Sequence, residues 1–168
     1  MSLSMYQASV PAFLKMLNNL SSFLEKADAF ATERKIDAGV LLNWRLAPDM
    51  FALVRQVQIA ADFAKGTPAR LAGVEVPKYA DEETTFAELK QRIAKTVTFV
   101  QGFKPADIDG SEDRDITLMV GGQEMRFKGQ PYLLHFALPN FYFHVTTAYD
   151  VLRACGVGLG KRDFIGTI

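Results

Sequence analysis

His144 and Asn140 lie four residues apart, the spacing that puts two side chains on one face of a helix. An imidazole and a carboxamide so placed could bind a metal or move a proton inside a helical bundle. His135, the other histidine, does not easily join them: nine residues at ~100° each carry it about 180° round the helix. Zinc prefers three or four N/S donors, and this chain has two His and one Cys. The same spacing also suits a histidine that is merely hydrogen-bonded in a core.

Other residues invite similar weighing. Arg55, Gln58 and Asp62 share a face at i, i+3, i+7, where they could wall a pocket; a solvated outer face is the plainer reading. Asp49, beside Pro48, is placed to favour a helix N-terminus electrostatically. Cys155 falls near a helix C-terminus, where the dipole disfavours thiolate, so it reads as an inert packed thiol. Gly156 to Lys161 glances at a phosphate loop, but Cys155 stands where glycine is required and Arg162 where Ser or Thr is required. Tyr142 and Tyr149 are one heptad apart beside Phe141 and Phe143, a pattern of cores and oligomer interfaces. The 13 Phe make an apolar dimer face reasonable.

Elements must hold these groups in place. Phe13, Leu17, Leu20 and Leu24 predict a first helix over about 5–28, with a bend or late start at Pro11. A short helical piece near 37–44 follows. Pro48 then suits the first position of a second helix over about 48–65, which buries Met50, Leu53, Val57, Ala61 and Ala64 and stops at Gly66-Thr67-Pro68. Residues 66–84 show little periodicity and are long enough for a crossover. Thr85-Phe86-Ala87-Glu88 is a capping box opening a third helix, with Leu89, Ile93 and Val100 inward. Gly121-Gly122 joins two strands in a hairpin that pairs Leu118 with Met125 and Ile116 with Phe127 on its apolar face. A last helix over about 130–155 buries Leu134, Leu138, Phe141, Val145, Ala148 and Leu152 before Gly156. The glycine-rich tail from Gly158 to Phe164 reads as irregular.

Composition narrows the classes. The 168 residues suit one domain, 1–168. Nineteen basic against nineteen acidic residues remove the electrostatic case for nucleic acid or an anionic membrane. The single Cys suits a reducing, cytoplasmic setting, and the N-terminus lacks the pattern of a signal peptide. The uncharged stretch Gly129–Tyr149 holds too many polar side chains for a membrane span.

Arg45-Leu46-Ala47-Pro48-Asp49-Met50, the run Gln56 to Asp62, and the block Leu138 to Tyr149 together resemble a bacterial family of unknown function within the DinB/YfiT-like metalloenzyme superfamily. The resemblance implies an all-α fold: a DinB-like four-helix bundle with a long crossover between helices 2 and 3, a small β-hairpin inserted before the last helix, and often a homodimer. In that superfamily three histidines hold a divalent metal, and some relatives are thiol-dependent transferases or isomerases. Carried over, His144 matches the last histidine, Asn140 stands at the preceding one, and the helix-two histidine falls at or near Gln56. One ligand of three is kept, so no cofactor is expected, with Ni, Zn or Fe at His144 the weak alternative. The favoured reading is a metal-free protein binding an unknown small molecule or a partner. The alternative is an enzyme, such as a thiol-dependent transferase using His144, with Gln56, Asn140, Asp62 and Tyr142 as pocket candidates. A third reading has His144 and Asn140 only satisfying buried polar groups.

Overall fold

The structure, a computed structural model, describes residues 3–167. It is mostly helical, with one two-stranded antiparallel hairpin ahead of the last long helix. The elements are α1 (Met5–Arg34), α2 (Ala38–Leu42), α3 (Leu53–Ala72), α4 (Phe86–Gln101), α5 (Pro105–Ile108), β1 (Asp115–Val120), β2 (Gln123–Lys128), α6 (Gly129–Pro131), a π-helical stretch Tyr132–Ala137, α7 (Leu138–Ala154) and α8 (Lys161–Ile165). Helix α1 packs on α3, α4 and α7, and α3 packs on α4 and α7. Their apolar stripes meet in one core that includes Phe13, Leu17, Leu53, Val57, Leu89, Phe141 and Val145.

Helix α1 starts at Met5, not late. A capping box between Ser4 and Gln7 fixes its start, and Pro11 sits exposed within the helix. It also runs six residues beyond the expected end at 28, because Ala31 is still buried against the core.

The second long helix departs further from expectation. Pro48 does not open it; Met50 N donates to the Ala47 carbonyl at 3.0 Å, so Pro48 occupies the second position of a tight turn. Helix α3 begins at Leu53 and passes through Gly66-Thr67-Pro68 to Ala72. All three of those residues are buried, as are Ala69 and Leu71. Packing of this turn outweighs the N–H that Pro68 cannot supply. Gly73, at φ 73°, then ends the helix in the left-handed conformation.

Helix α4 keeps its expected capping box, with Thr85 accepting from the Glu88 backbone. The hairpin keeps its expected register. Gly121 and Gly122 have φ of 56° and 82°, as a two-residue turn matching the strand twist requires. Ile116, Leu118, Met125 and Phe127 face inward, and Phe127 packs on Tyr132 and Phe136.

Past the hairpin, the regular helix expected over 130–155 contains the π-helical stretch. Pro139 offers no N–H to the carbonyl four residues earlier, and a widened turn is one way a helix absorbs that gap. Leu134, expected inside, is exposed there. The tail is not irregular throughout. Helix α8 docks on α1, where Asn19 Nδ2 donates to the Phe164 carbonyl at 2.8 Å and Phe164 stacks on Phe23.

Candidate functional site

His144 lies on the inner face of α7 and is 8% exposed. Its Nδ1 is 2.7 Å from Gln56 Oε1 on α3. The amide orientation is fixed from the other side, since Gln56 Nε2 donates to the Phe51 carbonyl at 3.0 Å. The oxygen of Gln56 must therefore accept, so Nδ1 carries the proton and Nε2 carries the lone pair. Burial, and then the positive charge of Arg55, lower the imidazole pKa to about 4. At neutral pH the ring is uncharged with one defined tautomer. Among the described residues Nε2 has no hydrogen-bond partner. Phe63 lies nearly parallel to the imidazole, with ring centroids 6.2 Å apart.

The other sequence candidates divide. Gln56, 1% exposed, joins His144 directly. Asn140 lines a groove beside Phe63, but its Nδ2 donates to the Phe136 carbonyl of its own helical run at 2.7 Å. Asp62 lines the same groove and is paired with Arg92 and Lys65. Tyr142 is not brought to the site; it is exposed and its ring meets Phe141. His135 is exposed on α7's approach, away from His144.

The face of Arg55, Gln58 and Asp62 is not the solvated one expected. The segment around Tyr79 to Glu83, together with Arg92 of α4, covers it. Arg92 is 4% exposed and meets Asp62 at 2.9 Å, Asp81 at 2.7 Å and Glu83 at 2.9 Å. Arg55 reaches Asp81 at 2.6 Å, and Gln58 donates to Glu83 at 2.9 Å. Burial pushes the Asp81 and Glu83 carboxyls up, but hydrogen bonds and charge from the arginines outweigh it and hold both below their ordinary values. Arg92 was missed in the sequence because nothing local marks it as buried. Its partners lie 9 to 34 residues away.

A groove of about 460 Å³ runs beside this cluster, between α3, the hairpin tip and the π-helical stretch leading into α7. Ile59, Phe63, Leu118 and Phe136 line it, together with Arg55, Asp62, Arg70 and Asn140. Among the described residues no group of three or more His, Cys, Asp or Glu is gathered to hold a metal ion. Cys155 is partly buried, and burial pushes its thiol pKa up. No helix among the described residues is long and apolar enough to cross a membrane.

Comparison with known proteins bears on this geometry. The model of a family described as a domain of unknown function (DUF1993) matches residues 5–165. A crystal structure of a DinB family member protein from Shewanella denitrificans is 46% identical, with a TM-score of 0.88, covering 97% of this chain and 92% of that one. No curated protein matches.

Proposed function

The chain belongs to this DUF1993 family, and we propose that it binds a small molecule in the groove beside a metal-free imidazole. The Nδ1–Oε1 pair between His144 and Gln56 carries the reading. Where the resemblance expects a second imidazole, Gln56 supplies an amide oxygen that is already engaged in orienting His144. Carboxamides are weak partners for Ni, Zn or Fe, and Asn140 is tied back to its own helix. The donor set does not fit a tight divalent site, and no step is assigned to one. An open, mostly apolar groove with a few polar groups at its edge is the usual form of a small-molecule site.

The same reading takes α1, α3, α4 and α7 as the four helices of a bundle and residues 74–85 as the crossover. In support, Gln58 and Asp62 in the first half of α3 meet Arg92 in the first half of α4. Ala72, at the end of α3, shares a wall with Phe99 near the end of α4 and Phe103 just after it. A second copy of the chain is taken to cover the aromatic surface around Phe51 and Phe143.

The test is metal analysis of protein purified without metal resin, together with titration of a neutral apolar dye such as Nile red. Saturable dye binding with far less than one metal per chain is expected. Stoichiometric transition metal, or no dye binding, overturns the reading.

A second reading, an enzyme acting on a small thiol, draws on one observation: Nε2 of His144 is unprotonated and of fixed tautomer. With its pKa near 4 that nitrogen is a weak base towards a thiol, so this reading requires a bound substrate that raises it. Unchanged turnover in a folded His144→Ala variant, for any substrate found, ends that reading.

A further inference from the structure

We propose that the occupant of the groove is a free carboxylic acid with an apolar tail, its carboxylate held by Arg70. The inference rests on the reading of the groove as a binding site and adds the chemical class of its ligand.

The charges near the groove are balanced, with one exception. Arg55 is matched by Asp81, and Arg92 and Lys65 are matched by Asp62, with Glu83 also on Arg92. Arg70 lines the groove, yet no carboxylate of the described residues lies within ion-pair reach of it.

Its guanidinium is nonetheless positioned. Arg70 Nη1 donates to the hydroxyl of the buried Tyr132 at 3.1 Å. The group also lies back over Gly66, one turn earlier. A Cβ at Gly66 would overlap Nη1 and come within 3.3 Å of Cζ. A helix interior normally disfavours glycine, so this close approach gives Gly66 a reason to be there. Tyr132 takes one edge of the guanidinium, which leaves other N–H donors of the fork for a ligand carboxylate.

Ile59, Phe63, Leu118 and Phe136 offer apolar wall around that cation. A small inorganic anion would leave this wall uncovered, whereas a carboxylate with an apolar tail satisfies both the charge and the surface. The groove volume lies within the range of roughly 300–1,000 Å³ found for small-molecule sites.

Calorimetric titration of wild type, Arg70→Gln and Gly66→Ala with decanoate, 1-decanol and inorganic phosphate tests the assignment. Wild type should bind decanoate about tenfold or more tightly than either other probe. Arg70→Gln should lose that advantage, so that decanoate and decanol bind it about equally. Gly66→Ala should also weaken decanoate, by displacing the guanidinium. Decanol or phosphate binding as tightly as decanoate, or an Arg70→Gln variant with unchanged decanoate affinity, overturns the carboxylate assignment. In the decanol case the groove remains a binding site. Wild type that binds neither decanoate nor decanol overturns both.

Discussion

At His144 a relay of two hydrogen bonds, from the Phe51 carbonyl through Gln56, decides which ring nitrogen holds the proton. Burial makes protonation costly, and Arg55 adds to that cost. The imidazole should therefore titrate near pH 4 by NMR rather than near its ordinary value of about 6.5. Gln56→Glu, which places an opposite charge on Nδ1, should raise that titration; an unmoved midpoint would show that the pair does not exist in solution. The sign for stability follows. The unfolded chain takes up a proton at His144 below about pH 6.5 and the folded chain only near 4, so folding is favoured fully above that window. Stability should fall by up to about 1.4 kcal/mol per pH unit through it, and His144→Ala should remove this slope in urea denaturation. The sequence exposed His144 and, by resemblance, Gln56. It did not expose their bond, because 88 residues separate them and no local pattern records which helices meet. Tyr142 fell away for a simpler reason: two residues on a helix turn about 200°, so it cannot share the inward face of His144.

Among elements, the segment between α3 and α4 was the hardest to read. Its residues lack periodicity, and what fixes it is a set of charges from both helices. Arg55, Lys65 and Arg92 oppose Asp62, Asp81 and Glu83. Removing Arg92 leaves Glu83 without its cation, while Asp81 keeps Arg55 and Asp62 keeps Lys65. Arg92→Ala should cost about 1.5–3 kcal/mol in chemical denaturation, more than an exposed ion pair such as Arg126–Glu124, whose loss should be near zero. Because the Asp81 and Glu83 carboxyls are held below their ordinary values, their contribution is complete above roughly pH 4.5. It is lost as pH falls through the lowered values, and limited proteolysis near residue 80 should accelerate there first. The hairpin and the capping box of α4 were legible in advance, since both are set within a dozen residues. The extension of α3 through Pro68 was not, because it depends on the burial of Leu71 by distant helices.

On the scale of the whole molecule, the zero net charge is not evenly spread. Six of its charges neutralise one another between α3, α4 and their connection, while several large apolar side chains stay exposed ahead of α3 and on α7. Phe51 is 57% and Phe143 56% exposed, and Trp44 and Leu46 are also exposed. Phe51 and Phe143 are tied to one place: the Phe51 carbonyl holds Gln56, which holds His144, the neighbour of Phe143 in the chain. Exposed aromatic side chains are enriched in the interfaces that stable assemblies bury. Sedimentation of wild type should therefore show a dimer at micromolar concentration, and Phe51→Ser combined with Phe143→Ser should shift it to monomer. Replacing the Phe51 side chain keeps the backbone carbonyl, so the titration of His144 near pH 4 should survive in the double variant. A monomeric wild type would remove the second copy from this surface. A dimer that persists in the double variant would place the interface elsewhere. If the dimer is lost and the His144 midpoint also rises, the partner subunit contributes to the burial that keeps this imidazole neutral, joining assembly to the site.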